Sequence, residues 1–273
     1  MIVSSTGQDL HVKHWSVDKP KAQIFFVHGY AEHISRYKHL AKKLNKEGYS
    51  VIGYDHVGHG KSGGERAYID RFDQFVWDLK RVMDEYRDEE LPQFVFGHSM
   101  GGLIATAYCT LYRPDNLNGV ITSGAALKVD DSPVLQTIAP FLSEIIAHAK
   151  TKSIGSQDIS RDADVVADYD SDPKVYRGGI KMRTASEILL RIKKTNRIAH
   201  LFTQPVLFMH GSADQITNPE GTIHFCEKCN SVDKELKMWD GFFHELINEP
   251  EKEEVIKYMV QWLNARLPEE TPE

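Results

Sequence analysis

The chain has 273 residues, 41% hydrophobic and 26% charged, with 33 Lys and Arg against 39 Asp and Glu for a formal net charge of −6. A mildly acidic chain without a basic cluster argues against nucleic-acid binding, and no stretch approaches the roughly 18 apolar residues of a membrane span. Three cysteines, Cys109, Cys226 and Cys229, point to free thiols in a reducing compartment, and MIVSSTGQDLHVKHW lacks the basic-then-apolar order of a secretion signal. A cytoplasmic protein of one α/β core plus an insertion is the expectation.

In chain order, DLHVKHWS (9–16) alternates and predicts a strand near an antiparallel edge. AQIFFV (22–27) predicts a strand buried on both faces, followed by a helix over 36–47. SVIGY (50–54) is a second buried strand, and a helix follows over 71–88. QFVF (93–96), NGVITS (118–123) and PVLFM (205–209) continue the series, with ELKMW (235–239) as the last strand. Helical patterns lie at 101–112, 218–229 and 250–266. Strands and helices in alternation predict a mostly parallel, doubly wound sheet. The alternation stops from Leu127 to Ala199. There VLQTIAPFLSEIIAHA (134–149) predicts an amphipathic helix kinked at Pro140, a polar loop runs to about Pro173, and MRTASEILLRIKKTNRIAH is helical again. The chain therefore divides into core (1–126), helical cap (127–199) and core (200–273), the insertion being placed where lids commonly sit.

Two motifs lead away from the chemistry. YDHVGHGKSGGE (54–65) ends like a phosphate-binding loop, but the pattern needs a glycine where Asp55 stands, and a carboxylate there would meet the phosphates. Cys226-Glu-Lys-Cys229 has metal-like spacing, yet no second pair completes a zinc site, so two helical thiols are expected, and neither metal nor cofactor.

The chemistry is in FGHSMGG. Gly97-x-Ser99-x-Gly101, after a strand and before a helix, fits the tight turn that lifts a nucleophilic serine to a helix N-terminus. Its partners should follow in the order acid, then base, each beyond a strand end. Asp214 in HGSADQITNP and His244 in WDGFFHELINEP hold those places; Asp233 precedes a strand, and His210 lies before the acid. The N–H of Met100 and that of Tyr30, in the loop after 22–27, are placed to receive an oxyanion, while His28 and His98 are expected to brace these turns.

HGYAEHISRY, YDHVGHGKSGGER, FGHSMGG, YDSDP, HGSAD and FFHEL together make the chain resemble the monoacylglycerol lipases of the α/β-hydrolase superfamily. The resemblance runs from residue 28 to 246 and implies an α/β-hydrolase fold, with Ser99, Asp214 and His244 as triad and Tyr30 and Met100 as oxyanion hole. It further implies that Glu32, Arg36 and Tyr169 frame the glycerol end of the pocket, although Glu32 and Arg36 also read as an i,i+4 surface pair. The large Tyr30 should narrow the alcohol pocket, and the cap matches only in patches. The substrate implied is a lipid or ester, foremost a monoacylglycerol; a lysophospholipase, an aryl esterase or a non-catalytic binding fold are the alternatives. The stripe Ile138, Phe141, Leu142, Ile145 and Ile146 can line an acyl tunnel, touch a membrane or lipid-droplet surface, or pack on the core.

Overall fold

The computed structural model describes residues 2–129, 143–151, 153 and 155–268. Of the cap stripe, Ile138, Phe141 and Leu142 lie outside the described residues, as does Pro140. The described chain begins with a small antiparallel ribbon, β1 (Ile2–Val3) and β2 (Asp9–Leu10). The central sheet holds β3 (Val12–Trp15), β4 (Ala22–Val27), β5 (Tyr49–Tyr54), β6 (Gln93–His98), β7 (Gly119–Ser123), β8 (Val206–Gly211) and β9 (Lys234–Trp239). Their order is β3-β5-β4-β6-β7-β8-β9, with β3 antiparallel to β5 and every other pairing parallel.

The apolar runs explain this sheet. Every residue of β4, β5, β6, β7 and β8 is buried, because helices cover both faces. Phe25 and Val27 face one core with α2 (Asp73–Tyr86), α3 (Met100–Tyr112) and α6 (Pro219–Lys228), which contribute Phe75, Leu79, Leu103, Ile104 and Phe225. Ile24 and Phe26 face the other, filled by Leu40 and Leu44 of α1 (Lys38–Lys46) and Met259 and Trp262 of α7 (Lys252–Asn264). β5 and β6 flank β4 on opposite sides, so the crossover direction reverses there. A crevice opens beyond the carboxyl ends of strands at such a point.

Element ends shift by a few residues from the sequence reading, and two differences have physical causes. Residues Ile34–Tyr37 form a 3-10 turn, so α1 starts only at Lys38. The stretch expected to be a polar loop up to Pro173 contains α4 (Ala163–Ser171). Its aspartates lower helix propensity, but Asp162 caps the N-terminus by accepting the Asp164 N–H at 3.0 Å. α5 (Met182–Arg197) follows and packs on α3. Among the described residues between β7 and β8, no strand joins the central sheet, and no described helix is long and apolar enough to cross a membrane.

The glycine-rich loop after β5 folds around Asp55. Its carboxylate accepts the N–H groups of Ile34 and Lys61, each at 2.8 Å. A side chain at Gly60 (φ +51°) would place Cβ 2.2 Å from that carboxylate, which accounts for the glycine.

Candidate active site

Ser99 is the single residue between β6 and α3. It turns the chain with φ 54° and ψ −117°, a region that non-glycine residues avoid. The turn closes only because its neighbours are small: a Cβ on Gly97 would lie 2.5 Å from the Gly101 carbonyl, and one on Gly101 would lie 2.0 Å from that of Val27. The Ser99 N–H donates to the Ser123 carbonyl at 2.9 Å, and the Ser99 carbonyl accepts from Leu103 and Ala126 at 3.2 and 3.0 Å. As the first residue of α3, Met100 has an N–H with no acceptor inside the helix.

Asp214 lies in the loop after β8. Its Oδ2 accepts the Nδ1 proton of His244 at 2.7 Å, and its Oδ1 accepts the N–H groups of Ile216 and Thr217 at 2.8 and 3.0 Å. Burial alone would raise the Asp214 pKa, but His244 and His210 hold the carboxyl well below its usual range. His244 follows β9 and lies against His98 in a tilted arrangement, with ring centroids 4.6 Å apart and planes at 55°. Burial would lower the His244 pKa; Asp214 opposes this through charge and hydrogen bonding, with Glu245 and Glu32 adding to it, and the balance lies above the ordinary histidine value of 6.5. His98 is desolvated and feels the charge of His244, which lowers it to about 4, so it stands as a neutral ring. With Nδ1 donating to Asp214, His244 keeps Nε2 for the cavity it shares with Ser99.

That cavity is small, about 20 Å³, and is lined by Tyr30, Glu32, Ser99, Tyr169, His244 and Glu245 among others. A larger cavity of about 270 Å³ adjoins it through Tyr30 and Tyr169 and continues past Gln157, Asp170, Tyr176 and Arg177. The Tyr30 side chain is anchored by its hydroxyl donating to the Ala67 carbonyl at 3.0 Å. The neighbouring Gly29 N–H donates to Glu32 Oε1 at 2.7 Å, and His28 Nδ1 donates to the Gly29 carbonyl at the same distance. The segment between β7 and β8 reaches this loop directly: the Tyr176 N–H meets the Ala31 carbonyl at 2.8 Å, and His33 pairs with Asp172 at 2.8 Å.

Glu32 and Arg36 are brought together, with Arg36 Nη1 2.8 Å from Glu32 Oε2. Arg36 does not line the cavity at Ser99. It lies against the Tyr169 ring at 4.8 Å and forks onto Glu245 with contacts of 2.5 and 2.8 Å. Glu245 is buried and, despite its desolvation, is pulled down to about 2 by that guanidinium. Sequence reasoning missed Glu245, although its signal was plain: an acid next to the candidate base. It also passed over His210, whose Nε2 lies 3.1 Å from Asp214 Oδ2. The i,i+4 spacing within HGSAD was the available sign.

Comparison with known proteins shows the family and the fold. The family model described as serine aminopeptidase, S33 (Hydrolase_4) matches residues 18–251. A monoacylglycerol lipase of Mycolicibacterium smegmatis is 33% identical over 93% of this chain and 92% of its own. The phospholipase YtpA of Bacillus subtilis is 29% identical over 89% and 95%. The crystal structure of Paleococcus ferrophilus monoacylglycerol lipase superposes with a TM-score of 0.85 and 30% identity, covering 94% of this chain and 99% of that one. On these matches, and on the fold and site just described, the chain belongs to the monoacylglycerol lipase family of the α/β-hydrolases.

Proposed function

We propose that the protein is a serine ester hydrolase that cleaves monoacylglycerols to fatty acid and glycerol. The observation that carries the reading is the Asp214–His244 pair at 2.7 Å, sharing one cavity with a serine held in a strained turn. In this reading His244 Nε2 accepts the Ser99 proton as Oγ attacks the ester carbonyl. Asp214 fixes the tautomer and stabilises the imidazolium. The N–H groups of Tyr30 and Met100 receive the oxyanion. His244 then protonates the departing glycerol oxygen. Water enters, gives its proton to His244 and splits the acyl-enzyme, and Ser99 recovers its proton as the fatty acid leaves.

Tyr169 is the residue of the cavity rim best suited to a glycerol hydroxyl, since its phenol can donate or accept. Glu32 serves the same end of the pocket while bracing the oxyanion loop through Gly29, and Arg36 acts from behind through both carboxylates. Residues 127–199 serve as the cap. Its exposed Ile145 (69% exposed) and Ile146 are the part we assign to transient contact with a lipid surface. A lysophospholipase activity is the second reading, favoured by the relative named a phospholipase.

The test is a substrate panel of mono-, di- and triacylglycerols, lysophospholipids and short aryl esters. Highest kcat/KM on monoacylglycerols is expected. The Ser99→Ala variant should lose on the order of 10⁶ in kcat on all of them. Retention of more than a few per cent of the activity would remove Ser99 as the nucleophile.

A further inference from the structure

Asp214 has more donors than a triad needs. Besides His244 and two backbone N–H groups, its Oδ2 is approached by Thr217 Oγ1 at 2.9 Å and by His210 Nε2 at 3.1 Å. A carboxylate offers about four lone-pair sites. Thr217 has an alternative acceptor, the Gly124 carbonyl at 3.1 Å. With Thr217 turned there, His244, His210 and the N–H groups of Ile216 and Thr217 fill the carboxylate. The His210 side chain is wholly buried, and its Nδ1 lies 2.7 Å from the hydroxyl of Thr222, itself buried on α6. Nε2 faces the Asp214 carboxylate, so the neutral His210 ring carries its proton there and Nδ1 accepts from the Thr222 hydroxyl. The carbonyl of Thr217, 3.3 Å away, favours the same tautomer.

We propose that His210, oriented by Thr222, is a positioning residue for the reaction: it holds Asp214 and shares the carboxylate oxygen that His244 uses. This rests on the hydrolase reading above. The consequence is a tuned base. A second imidazole N–H on Oδ2 takes up part of the carboxylate's charge, so the imidazolium of His244 is stabilised less than a lone Asp214–His244 pair would allow. The groups facing His244 are Asp214 from the loop after β8, His98 from β6, Glu32 from the loop after β4 and its neighbour Glu245, with Arg36 behind the two glutamates. Around His210 stand Asp214, Thr217 and Thr222. Its influence on the base therefore passes through Asp214.

The test measures the His244 titration twice. NMR follows its ring in the Ser99→Ala background, where turnover plays no part, and the acid limb of kcat/KM on a soluble p-nitrophenyl ester follows it in the active protein. His210→Leu should move both midpoints up by about 0.5 unit, the equivalent of part of one hydrogen bond, and lower the pH-independent kcat several-fold. His210→Gln, which keeps an N–H toward Asp214, should restore both. Unmoved midpoints in His210→Leu would overturn the proposal, as would Leu and Gln variants that differ only in melting temperature. If His210→Leu does not fold, His210→Phe decides, because it fills the site with a ring that brings no N–H to Asp214. An upward shift supports the proposal and an unshifted limb ends it. A protein with Ser99 intact that hydrolyses none of the esters would instead sink the hydrolase reading, and the NMR titration tells that failure apart from this one.

Discussion

The proposed nucleophile is held in an unfavourable conformation. Ser99 has φ 54°, where a side chain costs on the order of 1–3 kcal/mol. Ser99→Gly should remove that strain, offset in part by roughly 0.5–1 kcal/mol of added chain entropy. The glycine variant should therefore melt above Ser99→Ala although both are inactive, and equal melting temperatures by calorimetry would show the turn to be unstrained. The spacing around Ser99, Asp214 and His244 was legible in the sequence because each residue follows a strand whose apolar run marks its end. Glu245 and His210 left signs in the sequence, but their roles were not legible, because these depend on a partner 209 positions away in one case and on a second ring sharing one carboxylate in the other. Titration of His244 is set by these neighbours. Its pKa is raised, and in the proposed mechanism the neutral ring is the base, so kcat/KM should climb with pH through a midpoint above 6.5. Glu245 is one of the charges that raise it. Glu245→Gln should thus move the acid limb to lower pH, the reverse of His210→Leu, and an unchanged limb would remove Glu245 from the electrostatics of the base.

At the level of elements, the loop after β4, proposed to receive the oxyanion, is tied on three sides. Glu32 holds Gly29, the Tyr30 hydroxyl holds Ala67, and the cap holds Ala31 through Tyr176. These ties separate two residues that the sequence treats alike. Tyr169→Phe removes a group that can bond the glycerol leaving group. It should reduce monoacylglycerol kcat/KM two- to tenfold, roughly one hydrogen bond, and spare a p-nitrophenyl ester of equal chain length. Glu32→Gln disturbs the Gly29 brace and should slow both esters; loss on the glyceride alone would place Glu32 in direct contact with the alcohol. The cap gave less away than the sheet. α4 was hidden because its aspartates mimic a loop, and its cap at Asp162 is a single hydrogen bond that composition does not reveal. In the neighbouring segment, Ile145→Asp should weaken turnover of monoacylglycerol in vesicles and leave a soluble acetyl ester and the melting temperature unchanged, since the side chain is exposed. Parallel losses on both substrates would assign Ile145 to packing.

Across the whole molecule, the mostly parallel sheet was predictable and its strand order was not. Buried runs on both faces require parallel strands with helical crossovers, and the one alternating run was the antiparallel edge. What no periodicity could supply is where each part of the site falls within that order. Ser99 follows β6, inside the sheet with β4 on one side and β7 on the other. The proposed base follows β9, an edge strand, which among the described residues pairs only with β8 and leaves Lys234 exposed and Lys237 half-buried. The machinery is therefore divided between the best-protected part of the fold and its rim. Strands at a rim open at lower free energy than those within. In low denaturant the enzyme should be disarmed by fraying of β9 while the serine turn and the bulk of the sheet persist. Amides of β9 should exchange with deuterium faster than those of β6, and activity should fall at a lower urea concentration than the far-ultraviolet dichroism. Coincident transitions would mean that the edge and the centre unfold as one unit.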